Sequence, residues 1–303
     1  MHPESTPNSG LGFPYMPLFP RICIFVGVFF VALIFVSVLS GILNTMNIDP
    51  RTRILLVSSI QCVIVFMLAP VVEARLESRN ILSRLSLDKS PRWINIGAII
   101  ICYLVGIVFL NQLIYWNDTI TFPENLKGLE ATMREWENNS REFANTILST
   151  TSVGGLISGI LIVGCFTGLA EELFFRAGVQ RILNEVIPAH ASVWIAALIF
   201  SAMHFQFFGF FPRLLLGAFF GYLYIWSGSI WTSAFAHALN NSMVVITAWL
   251  TANGKITADF EQFGVTESGI PWGAIISGIL LFCFLSICHK WFIRHDKNGK
   301  SIV

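Results

Sequence analysis

Six polar side chains interrupt apolar stretches in the second half of the chain, where a polar group needs an explanation. They are Glu171, Glu172, Arg176, His204, His237 and Asn241. Ionisable groups within a membrane span are costly and commonly functional. A buried carboxylate beside an imidazole can activate a water molecule, and imidazole or amide N–H groups can stabilise an oxyanion. Together these residues have the chemical parts that hydrolysis of a peptide bond requires.

The spacing gives the two adjacent glutamates different surroundings. Glu172 and Arg176 are four residues apart on one helical face, so we expect them to form an ion pair. Glu171 points about 100° away around the same helix, so the guanidinium cannot easily reach both carboxylates. His237 and Asn241 are also four residues apart and share a helical face. This leaves Glu171 available as a base.

Two hydrolytic mechanisms are compatible with these residues. In the first, Glu171 and His204 orient and deprotonate a water, while His237 and the Asn241 amide hold the oxyanion. In the second, Glu171, His204 and His237 form a two-histidine, one-glutamate set, which is a ligand combination of catalytic zinc. The sequence leaves both open. Each residue taken alone could also serve as a hydrogen-bonding group between helices.

The composition indicates the environment of these groups. Hydrophobic residues make up 54% of the 303 residues and charged residues only 12%, against about a quarter charged in an ordinary globular chain. The formal net charge of +1 gives no electrostatic reason to expect nucleic acid as a partner. The six cysteines lie in apolar runs without a CxxC pair, so we expect small buried hydrophobes. The chain is predicted to be an integral membrane protein whose partners are the lipid bilayer and a membrane-associated peptide or protein.

Eight apolar stretches approach the length of about 20 residues that crosses a bilayer as a helix. They cover residues 22–44, 54–72, 94–115, 148–176, 193–211, 213–227, 229–250 and 271–293. The predicted fold class is all-α, a polytopic bundle of about eight transmembrane helices that encloses a polar intramembrane cavity. Glu171, His204 and His237 each lie roughly 13–18 Å from a predicted end of their span. We therefore expect them to meet near the middle of the bilayer.

Loop charges predict the orientation, because Lys and Arg are retained on the cytoplasmic side. The basic segment 73–92 and the tail 294–303 are expected inside, and the acidic segment 117–145 outside. Arg51 and Arg53, in the first external turn, argue weakly against this arrangement. The prediction is a multi-pass protein of the cell membrane with both termini cytoplasmic.

The chain is expected to form one integral membrane domain, 1–303, with its catalytic core at about 148–250 and short cytoplasmic tails, 1–20 and 294–303. Residues 129–148 have the pattern of an amphipathic helix on the outer surface. The basic stretch after Val72 has a similar pattern at the inner interface. Solvated connectors are the alternative for both.

The ordered motifs resemble those of the CAAX protease and bacteriocin-processing (CPBP) intramembrane proteases, which include the type II CAAX prenyl endopeptidases. The motifs are Glu171-Glu172-x-x-x-Arg176, Phe200-x-x-x-His204 and His237-x-x-x-Asn241. The resemblance implies an eight-helix bundle with a conical cavity and peptide hydrolysis within the membrane. It also implies that Glu171 and His204 activate water and that His237 and Asn241 are the oxyanion donors. Members have been described both as metalloproteases and as metal-independent glutamate proteases, so zinc is a possible cofactor.

The favoured function is an intramembrane endopeptidase that acts on membrane-associated or lipid-modified peptide or protein substrates. One alternative is a non-catalytic membrane immunity or maturation factor, in which the motif residues are structural. Another is a proton-coupled transporter, for which buried Glu and His are natural relay groups. The lack of an obvious inverted repeat or of paired broken helices disfavours the transporter.

Overall fold

The computed structural model describes residues 16–256 and 260–292, apart from the side chains at positions 261, 288 and 291. Within these residues the chain forms helices and turns but no strand, which confirms the all-α prediction. The helices are α1 Leu18–Asn44, α2 Pro50–Glu77, α3 Ile81–Arg84, α4 Trp93–Asp118, α5 Lys127–Leu148, α6 Val153–Asn184, α7 Ala189–Ala202, α8 Phe210–Ser227, α9 Ile230–Ala252 and α10 Trp272–Phe292.

The described residues include five helices that are long and apolar enough to cross a membrane. These are α1, α2, α4, α6 and α8, the last with the preceding turn. Helix α7 and the segment Trp272–Ile287 of α10 are shorter but apolar. Large apolar side chains such as Val31, Ile34 and Val38 of α1 are exposed, as expected for helices that contact lipid. The predicted helical membrane bundle is therefore confirmed, and eight crossings stay a prediction.

Two of the predicted span boundaries are wrong. Helix α6 continues to Asn184, well beyond the predicted end at residue 176. The span predicted over 193–211 ends early, because α7 stops at Ala202 and a turn follows before α8. Pro212 lies in the first turn of α8, where a residue without a backbone N–H is tolerated because that group would have no partner within the helix. The polypeptide therefore makes a helical hairpin with His204 in its turn, not a single helix with His204 inside it.

Arg51, which argued against the predicted orientation, has a structural role. It lies in the first turn of α2, where its Nε donates to the carbonyl of Ile147 at 2.9 Å and its Nη2 to that of Gly155 at 2.8 Å. Its charge thus caps the carbonyl end of α5 and holds it against the start of α6. Cations are favourable at a helix C-terminus, so this arginine has a reason to be here whatever the charge bias of the loops.

Five ionisable side chains form an ion-pair network where α1, α2, α3 and the residue after α6 meet. They are Arg21, Glu73, Glu77, Arg84 and Glu185. Arg84 Nη2 lies 3.0 Å from Glu73 Oε1, and both side chains are buried. Part of the basic stretch predicted at the inner interface is therefore folded into the bundle, because its arginine finds carboxylates there.

Other predictions fall partly outside the described residues. These include the terminal tails, with the basic residues 294, 297 and 300 of the tail, and the side chain of Cys288. Cys62 and Cys102 are buried as predicted, but the prediction is wrong for Cys23, Cys165 and Cys283, which are exposed. A cysteine behaves as a small hydrophobe, so its exposure on an apolar helix of a membrane bundle has little cost.

Candidate active site

Glu171 and Glu172 lie at the end of the regular segment Thr167–Glu172, between two wider, π-helical segments of α6. The flanking segments are Ile160–Phe166 and Leu173–Gln180. A π-turn inserts an extra residue per turn, shifts the side chains that follow and occurs frequently at functional sites. Here it sets the direction in which the two carboxylates leave the helix.

Small residues of α6 allow α9 to approach the carboxylates closely. A Cβ added at Gly168 would lie 3.1 Å from the backbone nitrogen of Ala238, and one added at Gly164 would lie 2.2 Å from the Ser242 hydroxyl. Glycines at a helix interface let two backbones come together within a membrane. Gly168 is one turn before Glu172, so this contact brings His237 of α9 up to the glutamates.

Glu172 is the centre of a buried ionic cluster. Its Oε2 lies 3.0 Å from Arg176 Nε, which confirms the predicted pair four residues apart. Its Oε1 lies 3.0 Å from His237 Nδ1, a contact between helices that the sequence analysis did not predict. The Glu172 and Arg176 side chains are fully buried. Burial makes this pair depend on mutual neutralisation, because an unpaired charge here would be very costly.

His237 is held by contacts on several sides. Its Nε2 lies 3.7 Å from Glu171 Oε2, beyond normal hydrogen-bond distance. The ring stacks on Phe220 of α8, with the centroids 4.8 Å apart and an interplanar angle of 18°. Phe200 of α7 meets it edge-on at 5.7 Å. The imidazole is thus fixed in place, with one nitrogen toward Glu172 and the other toward Glu171.

His204 lies in the turn after α7, and its ring folds back toward that helix. Its Nδ1 is 2.8 Å from the carbonyl of Phe200, which can only accept a hydrogen bond, so Nδ1 carries the proton. In the neutral ring Nε2 is then a base. The His204 ring is 5.0 Å from the Phe200 ring, which also contacts His237. Phe200 is therefore the common neighbour of the two predicted histidines.

Hydrogen bonds connect the turn that contains His204 to α4 and α5. Phe205 has a left-handed backbone with a φ of 53°, an uncommon conformation for a bulky side chain. Gln206 donates to Glu137 of α5 at 3.2 Å. Asn117 of α4 donates to the carbonyl of Phe207 at 3.1 Å. These bonds from neighbouring helices hold a strained turn in place, and so fix the position of His204.

Asn241 is held from both sides of its amide. Its Nδ2 donates to the carbonyl of Val163 at 3.3 Å, and its Oδ1 accepts from Asn240 Nδ2 at 3.3 Å. An amide has two N–H donors, so one remains for a substrate. Asn240, which the sequence analysis did not single out as a site residue, orients its neighbour.

The predicted zinc set is not brought together as compactly as a metal site requires. Glu171 and His237 are near each other, but His204 does not complete a group with them. Within the described residues one group of three places its possible ligand atoms within 4.8 Å of one another, namely Glu73, Glu77 and Glu185. These carboxylates contact Arg21 and Arg84. Glu171, His204 and His237 do not form such a group as arranged, and zinc stays a prediction.

A comparison with protein-family models finds a match over the segment that contains this site. Residues 152–243 match the model described as Type II CAAX prenyl endopeptidase Rce1-like. Over these residues, fewer than half of the chain, the protein is similar to that family. The match spans α6 to α9 up to Met243 and includes all six predicted site residues, so the resemblance inferred from the motifs is confirmed. The Rce1-like family is a protease family, which supports a peptide hydrolase. No curated protein and no solved structure matches the chain.

Proposed function

We propose that this multi-pass membrane protein is an intramembrane endopeptidase in which Glu171 acts as the general base. The observation that carries the proposal is the pair of unlike neighbours on α6. Glu172 is neutralised by Arg176 and orients His237, whereas Glu171 faces the other nitrogen of the same imidazole at 3.7 Å. Glu172 thus has a structural role, and Glu171 is available to act as a base.

In the proposed reaction one proton moves from water to the base and then from the base to the leaving nitrogen. Glu171, assisted by the Nε2 lone pair of His204, takes a proton from water as the water oxygen bonds to the scissile carbonyl carbon. The carbonyl π-electrons move to its oxygen, which accepts N–H bonds from His237 and Asn241. When the intermediate collapses, the C–N bond breaks and the base returns its proton to the leaving nitrogen. The products are a carboxylic acid and an amine.

The hydrogen bond to Glu172 determines which protonation state His237 must have in each mechanism. An ionised carboxylate cannot donate, so Nδ1–H is the donor in this bond. His237 can therefore donate from Nε2 to an oxyanion only as an imidazolium. A zinc mechanism needs the Nε2 lone pair instead, with Glu172 as the outer partner of the histidine. The two mechanisms differ by one proton on Nε2, which ¹⁵N NMR of ring-labelled His237 would detect.

The substrate proposed is a membrane-associated or lipid-modified peptide, and the family description suggests the first probe. A fluorogenic farnesylated peptide ending in a CAAX sequence should be cleaved by the protein in proteoliposomes. The same peptide without its lipid measures how far membrane attachment contributes. We further propose that the protein resides in the cell membrane with both termini in the cytoplasm, which cysteine accessibility at engineered terminal sites would test.

Replacing Glu171 by Gln is the decisive variant. It keeps the shape and removes the base, so cleavage should fall about 10²–10⁴-fold. Glu135→Gln on α5 is the matched control, since that residue is exposed. Unchanged cleavage by a folded Glu171→Gln protein would reject the proposal in favour of a non-catalytic factor. pH-driven solute flux without cleavage would favour the transporter. Metal analysis of the purified protein, with chelator sensitivity, tests the zinc alternative.

A further inference from the structure

A cavity of about 730 Å³ lies behind the candidate site, on the far side of α9. Helices α4, α7, α8, α9 and α10 contribute to its walls, which are largely apolar. Among the lining residues are Ile99, Leu110, Leu216, Phe219, Leu281 and Leu285. The cavity shares none of its lining with Glu171, Glu172, His204, His237 or Asn241. It is therefore a separate space.

The cavity is elongated along the helices. On α4 its lining extends from Ile99 to Leu110, and on α10 from Gly278 to His289. At 1.5 Å per residue each side is roughly 17 Å long. The two helices run antiparallel, since Gly106 faces Leu281 and Gly278 faces Phe109. Its apolar walls offer water few hydrogen-bond partners, and α4 and α8 are among the helices long and apolar enough to cross a membrane. Hydrocarbon is the solvent available to fill it.

One end of the cavity has several polar side chains. Ser286, His289, Tyr222 and Trp226 line it where α8 and α10 end. The Tyr222 hydroxyl is 2.9 Å from His190 Nδ1, and the rings of Trp226 and His289 are 6.1 Å apart. Such aromatic residues are typical of the membrane–water boundary.

Two lysines lie near this same end. Lys290 follows His289 and is exposed. Lys89 reaches the end of α8, where its ammonium would be 3.5 Å from a Cβ added at Gly228. Basic groups beside helix ends attract anionic lipid head groups. An apolar cavity with aromatic rings and cations at one end is complementary to a lipid that has an apolar chain and a negatively charged head group.

We propose that this cavity binds one acyl chain of an anionic bilayer phospholipid. The chain lies between α4, α8 and α10, and the phosphate is held near His289 and Lys290. The assignment does not depend on the proposed peptidase activity. It does place the lipid against the site, because Phe220 lines the cavity and stacks on His237. Asn240 also lines it and donates to Asn241.

The test measures lipid retained by the full-length protein. The protein is reconstituted in nanodiscs of equal phosphatidylglycerol and phosphatidylcholine, re-extracted in mild detergent and examined by native mass spectrometry. The wild type should retain one phosphatidylglycerol per chain. Leu285→Trp and Leu216→Trp, which fill the cavity, should lower retention at least tenfold. Leu280→Trp is the matched control on α10, because Leu280 is exposed and does not line the cavity.

The head group is tested separately. His289→Ala with Lys290→Gln should keep a bound lipid but remove the preference for phosphatidylglycerol over phosphatidylcholine. Equal retention by the filled variants and the control would overturn the site. Equal retention of both lipids by the wild type would overturn the anionic assignment. Displacement of the lipid by a farnesylated peptide would also overturn it and identify the cavity as a substrate subsite. Helical circular dichroism confirms folding of each variant, and no outcome depends on cleavage.

Discussion

Replacing the adjacent glutamates of α6 one at a time should produce two different defects. In Glu172→Gln, a fully buried guanidinium loses its counter-charge, because Arg176 Nε lies 3.0 Å from the carboxylate and neither side chain is exposed. Breaking a buried pair in this way costs about 3–5 kcal/mol. The neutral amide still offers an oxygen, so we expect about 3 kcal/mol. His237 also loses its oriented partner, so cleavage should fall as well.

Glu171→Gln should lower activity strongly and stability little. The Glu171 side chain is 13% exposed, and its contact with His237 is 3.7 Å long. Little stabilisation is lost, and we expect a change of less than about 1 kcal/mol in the free energy of unfolding. Activity should fall about 10²–10⁴-fold, since the base is removed. Stability would be measured by denaturant-induced unfolding in mixed micelles, and activity with the farnesylated reporter.

A double variant supplies the internal control. Glu172→Gln with Arg176→Met removes both charges, so most of the lost stability should return. Activity should not return, because His237 remains without its carboxylate. Wild-type stability in the Glu172→Gln single variant would refute the assignment of a charge-paired structural role. Recovery of activity in the double variant would refute the positioning of His237 by Glu172.

Three further predictions concern the supports of the site. Gly168→Val should separate α6 from α9, because its Cβ would press on the backbone nitrogen of Ala238 at 3.1 Å. Unfolding free energy should fall by about 1–3 kcal/mol, and an unchanged value would contradict the close-packing argument. Gln206→Ala removes a 3.2 Å hydrogen bond to Glu137 of α5. It should lower kcat for the reporter peptide more than it raises KM, because His204 is displaced while the substrate is still bound. Full activity of this variant would refute the role of the turn. The pKa of Glu130 is lowered by a backbone N–H bond and by a lysine in the first turn of α5. The stability it confers is therefore present above the pKa of an unfolded glutamate and is lost as pH falls through the lowered value, so Glu130→Gln should flatten the acid side of the stability–pH curve.

The sequence was sufficient for properties that depend on composition and on local spacing. Low charge content and long apolar stretches predicted a helical membrane bundle, because lipid accepts apolar surfaces and helices satisfy their own backbone. The four-residue spacing predicted the pair of Glu172 and Arg176, because neighbours on one helical face lie within reach whatever surrounds them. The three motifs in order predicted the similarity to the type II CAAX prenyl endopeptidases.

Contacts between distant segments were decided only by the tertiary structure. The bond from Glu172 to His237 joins residues of α6 and α9, and it depends on how closely Gly168 lets the two helices pack. The sequence does not predict the break after Ala202, because the aromatic run there is as apolar as a helix. Hydrogen bonds from Asn117 and Gln206 to groups on other segments hold this turn in place. Periodicity records which face of a helix is apolar, but it does not record which helix that face meets. For this reason the sequence predicts the six candidate site residues, whereas their contacts are defined only in the packed bundle.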